Sequence, residues 1–194
     1  EGTVKGSLLT NYQSNNGLIG LNGNLAGKKN GFNWNAYGTY KSAGDYRNKY
    51  DGRVLNSRFN EGNFGGYAGW NKSWGYSHII FSRFNQKIGM IEGDRDDATG
   101  RFLLFTGSPL ERIATTADLD ERSLFVPYQH IKHTRLVSDN NFAIHQSRLK
   151  INLAYQNNQR KEYGNPEDVA EEELFFDLKT FNYNIQWQLP EIKE

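Results

Sequence analysis

Residues 32–41 read Phe32-Asn-Trp-Asn-Ala-Tyr-Gly-Thr-Tyr-Lys41 and alternate between two kinds of side chain. One set is apolar or small: Phe32, Trp34, Ala36, Gly38 and Tyr40. The other set is mainly polar: Asn33, Asn35, Tyr37, Thr39 and Lys41. Because successive side chains of a strand point to opposite faces, this stretch predicts a β-strand with one apolar and one polar face.

Alternation of the same period recurs along the chain and predicts an all-β, antiparallel fold of about eight strands. The other seven segments are 3–13, 17–26, 58–72, 77–88, 128–143, 149–160 and 180–189. Segments 77–88 and 128–143 alternate poorly, and the sequence does not assign their faces. Sustained helical spacing is absent, although residues 110–122 are expected to form one short helix within a loop.

Composition excludes several classes of protein. Lys and Arg number 23 against 22 Asp and Glu, with no basic block, so we expect no nucleic-acid partner. Cysteine is absent, which excludes disulfides and thiolate sites. No catalytic constellation stands out, and we expect neither an enzyme nor a bound cofactor. Mean hydropathy is −0.77 although 14% of residues are aromatic, as expected when each strand carries a single apolar face.

The connections between the predicted strands alternate between short and long. Short connections surround residues 27–31, 73–76 and 144–147, whereas long ones cover about 46–56, 89–127 and 163–173. The first connection, at 14–16, is also short. In an antiparallel sheet this pattern puts every long loop on one rim, which is typical of outer-membrane barrels.

Aromatic residues at the ends of the apolar face favour a transmembrane β-barrel over a soluble one. Tyr12, Tyr40 and Tyr155 fall near the long-loop rim, and Trp70, Trp74 and Trp187 near the short-turn rim. Two such belts suit two membrane–water interfaces, with the polar face turned to an aqueous lumen. A soluble β-sandwich or barrel, acting as a binding module, remains an alternative because alternation alone does not say which face is outside.

Several stretches resemble the barrel hairpins of TonB-dependent outer-membrane receptors, particularly the Bacteroidetes type. They are residues 31–46, 50–57, 63–77, 153–163 and 176–183. The resemblance implies a 22-stranded barrel in the outer membrane of a diderm bacterium, and outer-membrane lipid as a partner. It also implies energy coupling to TonB through a plug domain, and import of a scarce solute such as an iron–siderophore chelate or haem.

We therefore expect residues 1–194 to be part of a barrel domain whose plug and remaining strands lie outside this chain. No signal peptide is visible at residues 1–5, so either processing removed it or the chain begins inside a longer protein. A passive porin or a small self-contained outer-membrane barrel is the alternative.

Candidate ligand-binding residues are Asp94, Arg95 and Asp96 in the long loop 89–127, and Arg160 on the polar face. The acidic cluster around them lacks the spacing of a calcium loop, and a solvated loop is the competing interpretation. His130 and His133 are three apart in a strand and should point to opposite faces, so no metal site is expected.

Overall fold

A computed structural model describes residues 2–190 as one eight-stranded antiparallel sheet with structured connections. The long strands are β1 (Thr3–Gln13), β2 (Leu18–Lys29), β3 (Phe32–Ala43), β6 (Phe59–Lys72), β7 (Gly75–Gly89), β10 (Tyr128–Ile144), β11 (Ser147–Tyr163) and β12 (Leu174–Gln188). The short strands are β4 (Arg47–Asn48), β5 (Gly52–Arg53), β8 (Leu103–Leu104) and β9 (Arg112–Ile113), and the helix is α1 (Thr116–Asp120).

The long strands follow one another in the order β1-β2-β3-β6-β7-β10-β11-β12, so each pairs with its neighbours along the chain. The expected all-β antiparallel fold with eight long strands is confirmed. The helix expected within residues 110–122 is also confirmed, but it has a single turn at 116–120 and follows a short strand, β9. Of the predicted domain 1–194, residue 1 and residues 191–194 lie outside the described residues.

The connections separate onto the two edges of the sheet as the sequence predicts. Two-residue turns at 30–31, 73–74 and 145–146 lie on one edge. The connections 14–17, 44–58, 90–127 and 164–173 lie on the other, which we call the long-loop edge. Asn30 and Gly31 both have positive φ angles, 51° and 84°, as a type I′ turn requires. This turn matches the twist of β2 and β3 and keeps them in register.

The strand register shows which residues share a face. One row of paired residues crosses all eight strands: Val4, Gly27, Trp34, Ala68, Ile79, Ser138, Leu153 and Tyr183. We call the side of the sheet that carries Trp34 the aromatic face, and the side that carries Asn35 the polar face. This register also assigns faces to β7 and β10, where the sequence pattern does not.

The aromatic face carries most of the exposed hydrophobic side chains of the sheet. Leu8, Tyr12, Phe181 and Tyr183 are each more than 60% exposed. Near the two-residue turns, Phe32 packs on Trp70 with ring centroids 5.0 Å apart, and Trp74 stacks on Phe142 at 5.6 Å. The polar face instead carries many Asn, Gln, Lys and Arg side chains.

The expected position of Tyr155 is wrong, because β11 is longer than the sequence predicts. Tyr155 is placed by the sequence near the long-loop rim, but β11 continues beyond it to Tyr163. Tyr155 therefore lies in the middle of its strand, in a row with Phe81, Leu136 and Phe181. Tyr12 and Tyr40 lie near the long-loop edge as expected, and Trp70, Trp74 and Trp187 lie near the opposite edge.

The sheet is open in the described residues, because β1 and β12 each pair with one neighbour only and not with each other. Each of these outer strands therefore presents a row of backbone groups that further strands can pair with. Within residues 2–190 no helix is both long and apolar enough to cross a membrane.

Candidate functional site

The connections 44–58 and 90–127 pack together at the long-loop edge, and we call them the loop cap. Its core is a cluster of buried side chains from both connections: Val54, Leu55, Phe102, Leu104 and Ala114. Phe105, Leu119 and Phe125 pack against this cluster. Loops with their own apolar core are held in one arrangement, and a binding surface built on them is preorganised.

A buried ion pair closes the connection 44–58, and its arginine also binds the connection 90–127. Asp45 and Arg58 are both fully buried, and Arg58 donates from Nε to Asp45 Oδ1 at 2.9 Å and from Nη2 to Oδ2. The remaining donors of Arg58 reach the carbonyls of Ser123 (3.0 Å) and Asp118 (2.7 Å). The guanidinium also lies 5.0 Å from the ring centroid of Phe125. Each polar group of the pair is thus satisfied, as buried charges require.

Asn56 fixes the base of the loop cap. Its φ angle is 59°, a left-handed conformation that asparagine tolerates better than most residues. The side-chain amide donates to the carbonyls of Met90, Phe125 and Pro127, and its oxygen accepts from the backbone N–H of Phe125. One buried side chain therefore holds both ends of the connection 90–127.

Polar contacts join the loop cap to the neighbouring strands. Arg122 donates to the carbonyl of Gly17 at 2.6 Å and to that of Ser42 at 3.2 Å. Asn15 and Arg47 exchange two hydrogen bonds, one in each direction. Through these contacts the loop cap also covers the first turn of the sheet, so three connections form one surface.

Helix α1 lies in the loop cap and is stabilised by a capping box and an ion pair. Thr115 accepts from the backbone N–H of Asp118, and the Asp118 carboxylate accepts from the Thr115 N–H, which is a capping box. Arg112 donates to both carboxylate oxygens of Asp118 at 2.7 Å. The hydrogen bonds from Arg112, followed by those from Thr115, hold the pKa of Asp118 well below its usual range.

The predicted residues Asp94, Arg95 and Asp96 lie in the loop cap and make intramolecular contacts. Arg95 pairs with Asp51 of the other connection at 2.5 Å, and its guanidinium lies 3.9 Å from the ring centroid of Phe102. Asp96 accepts from the hydroxyl and the backbone N–H of Thr99, which lowers its pKa. The side chains of Arg95 and Asp96 stabilise this part of the loop cap, and Asp94 contributes its backbone carbonyl, which accepts from the Leu103 N–H at 2.9 Å. Ligand binding by the three residues stays a prediction.

The fourth predicted residue, Arg160, lies apart from the other three. It is on the polar face of β11, as expected, and pairs with Glu162 of the same strand. In the part of the chain that the structure describes, no hydrogen bond or ion pair joins Arg160 to residues 94–96. The four candidates therefore do not form one cluster.

A cavity of about 430 Å³ lies on the polar face next to the loop cap. Its polar lining includes Asn11, Gln13, Asn16, Asn22, Thr39 and Lys41. Lys41 pairs with Glu61 at 3.2 Å, and Glu61 also accepts from Gln86. Amides, a hydroxyl and one ammonium group can bind a polar or anionic solute by hydrogen bonds, which makes this cavity the second part of the candidate site.

Metal-binding clusters do not occur among the described residues: no group of three or more His, Asp or Glu side chains could hold a metal ion. His130 and His133 point to opposite faces, as the sequence predicts. His130 contacts Asn85 at 2.7 Å on the aromatic face, and His133 contacts Gln156 at 3.3 Å on the polar face.

No pattern in the sequence marks Asp45, Asn56 or Arg58 as functional residues. The one available signal is the apolar pair Val54-Leu55 in an otherwise polar connection, which indicates a buried segment there. In comparisons with known proteins, no family model and no curated protein matches this chain.

Replacing Asp45 with Asn should loosen the loop cap, because it leaves the buried Arg58 guanidinium without its counter-charge. Losing one partner of a buried pair costs about 3–5 kcal/mol. We expect trypsin to cleave within residues 90–127 much faster than in the unmodified protein. Lys179→Gln is the control, since it removes an exposed pair with Asp177 that contributes little. Equal cleavage of both variants would show that the ion pair does not hold the loop cap.

Acid should open the segment around α1. The folded pKa of Asp118 is depressed, so its contribution to stability is complete above the unfolded pKa of about 3.9 and is lost as the pH falls through the folded pKa. Hydrogen exchange of residues 112–121, corrected for intrinsic rates, should therefore accelerate below about pH 4. In the Asp118→Asn variant, residues 112–121 should already exchange quickly at neutral pH, and their exchange should depend little on pH. If the variant shows the same acid transition as the unmodified protein, Asp118 is not the group that titrates.

Proposed function

We propose that this sheet is a section of a transmembrane β-barrel in the outer membrane of a diderm bacterium. The single observation that carries the proposal is the exposure of the aromatic face across all eight strands. Leu8, Leu25, Tyr183 and Ile185 are each more than half exposed, and they share that face with Trp34 and Trp187. An exposed apolar surface of this extent needs lipid or another apolar partner.

Dimensions and composition favour lipid as that partner. From Phe32 to Tyr40 the aromatic face extends about 27 Å along the strand, which at a tilt of about 40° approaches the ~25 Å apolar band of outer-membrane barrels. Aromatic rings lie at both ends of this band, and the opposite face is polar enough to meet an aqueous lumen. The unpaired edges of β1 and β12 would be completed by the remaining strands of a 22-stranded barrel.

Within that barrel, we assign the long-loop edge to the cell exterior and the loop cap to solute capture. Connections of ten or more residues are typical of the extracellular side, and two-residue turns of the periplasmic side. The cavity beside Lys41 would receive the solute at the lumen entrance. The function proposed is that of a receptor that imports a scarce solute, such as a metal chelate, with TonB supplying energy through a plug domain.

The structured loop cap is the reason for preferring a receptor to a passive porin. A receptor that binds a dilute solute benefits from preorganised loops, because ordering loops on binding would cost free energy. The buried Asp45–Arg58 pair and the apolar cluster around Val54 and Phe102 provide that order. The residues Asp94, Arg95 and Asp96 lie on this surface and remain candidate contacts for the solute.

Membrane insertion is tested with two adjacent cysteines, since the chain contains none of its own. Ile185→Cys places a thiol on the aromatic face, and Asn184→Cys places one on the polar face. In intact outer membranes, a small water-soluble maleimide should label Asn184→Cys and leave Ile185→Cys unmodified, because lipid covers the latter. Both should react after denaturation. Equal labelling in the folded protein would favour a soluble β binding module.

Energy-coupled import is tested by uptake of radiolabelled ferric chelates and haem in cells with and without the protein. We expect uptake of at least one of them to require both the protein and a membrane potential, and to stop on addition of a protonophore. Asp45→Asn should weaken uptake at low solute concentration more than at saturation, since it disorders the loop cap. Uptake that is unaffected by the protonophore would identify a passive porin instead.

A further inference from the structure

The aromatic face changes character part of the way towards the long-loop edge. One apolar row across β7, β10, β11 and β12 consists of Phe81, Leu136, Tyr155 and Phe181. The next three rows contain Arg83, Lys87, His130, Lys132, Lys161 and Lys179. Basic residues therefore follow the apolar surface directly, on the same side of the sheet.

Three of these cations have no acidic neighbour. Among residues 2–190, no carboxylate lies within ion-pair distance of Arg83, Lys87 or Lys132, whereas Lys161 pairs with Glu172 and Lys179 with Asp177. The aromatic face of β6, β7 and β10 carries no Asp or Glu at all. Lys87 is a direct cross-strand neighbour of His130, and Lys132 is the neighbour of Asn85. We call Arg83, Lys87 and Lys132 the basic cluster.

A groove of about 700 Å³ lies beside the basic cluster on the same face. Gly23, Gly38 and Gly62 form its floor, and Leu21, Tyr40 and Phe64 contribute its apolar lining. A Cβ added at Gly23 or Gly62 would meet no atom within 4 Å, so these positions leave open space where other residues would fill it. The groove thus joins an apolar surface to three unpaired cations.

We infer that the groove and the basic cluster bind the phosphorylated headgroup of an outer-leaflet lipid. This inference rests on the proposed membrane barrel, in which the aromatic face meets lipid. Each row adds about 7 Å along the strand, or roughly 5 Å of depth at a tilt near 40°. Lys132 lies in the row of Tyr40, at the outer end of the aromatic band, and Arg83 lies one row inside it. Long cationic side chains extend towards the membrane interface, which brings the charges of both residues to the level of the headgroups.

The chemistry of the cluster matches a phosphate group. A phosphate monoester carries about −1.5 to −2 charges at neutral pH and accepts hydrogen bonds from several donors. Neighbouring cations on adjacent strands, about 5–8 Å apart, can share one such group. The glycine floor of the groove accepts the sugar or the upper acyl part of the same lipid. A lipid without phosphate would leave the three cations unpaired, so the site favours a phosphorylated one.

The test uses the full-length protein, purified in detergent and mixed with diphosphoryl lipid A or with the same lipid after its phosphates are removed. Native mass spectrometry should show preferential adducts of the diphosphoryl form. The triple variant Arg83→Gln, Lys87→Gln, Lys132→Gln should lose about tenfold or more in affinity for that form and bind both lipids alike. Gly23→Leu with Gly62→Leu should weaken binding by filling the groove.

The matched control removes three cations from the polar face, by Arg135→Gln, Arg148→Gln and Lys150→Gln. This variant should keep the preference of the unmodified protein. Equal binding by the two triple variants, or displacement of the lipid by an equal concentration of inorganic phosphate, would overturn the inference. Insertion of each variant is checked by heat-dependent electrophoretic mobility; failure of the unmodified protein to insert would instead contradict the proposed barrel.

Discussion

Continuous register across eight antiparallel strands is the constraint on which the other features of the molecule depend. Because side chains alternate with a period of two, a slip of one residue in any strand would turn its aromatic residues to the polar side. The two-residue turns at 30–31, 73–74 and 145–146 prevent such slips in three hairpins. Both the exposed aromatic face and the cations that follow it towards the long-loop edge depend on this unbroken register.

The loop cap adds a second kind of order to the long-loop edge. Its short strands contribute few backbone hydrogen bonds, so side chains hold it: the Asp45–Arg58 pair, the Asn56 amide and a small apolar cluster. A buried charge pair tolerates little displacement, since losing either partner leaves an unsatisfied charge. Order that rests on specific polar contacts favours one loop arrangement over many, as the proposed solute-binding surface requires.

Sequence alone predicts the strands wherever each face has a uniform composition. In β3 and in residues 180–188 of β12 the aromatic and polar sets are almost pure, and the sequence predicts both segments. It misses residues 174–179 of β12, where Phe176 and Leu178 lie on the polar face and Lys179 on the aromatic face. In β7 and β10 the aromatic face passes from Phe81 to Arg83 and from Leu136 to Thr134, while Ile80 and Val137 lie on the polar face. No single hydrophobic pattern describes such strands, so their faces follow only from pairing with neighbours.

The loop cap is harder to predict, for a different reason. Its strands are two residues long, which is too short to show a periodic pattern in the sequence. Its central contact joins two residues that are 13 positions apart. Asp45 and Arg58 are ordinary polar residues until the folded chain buries them together. The candidate residues in loop 89–127 are found because charge clusters are visible in a sequence, whereas their partners Asp51 and Thr99 are visible only in three dimensions.

The unequal lengths of the connections also impose an order on folding. Closing the connection 90–127 costs roughly 2–3 kcal/mol more in chain entropy than closing a two-residue turn. The hairpins β2–β3, β6–β7 and β10–β11 can therefore form early and locally, and the junction between β7 and β10 forms later. The apolar cluster of the loop cap contains residues from both sides of β7, since Leu55 precedes this strand and Phe102 follows it. The cluster can therefore form only after the connection 90–127 has closed. The loop cap is therefore completed last, after the strands beneath it have paired.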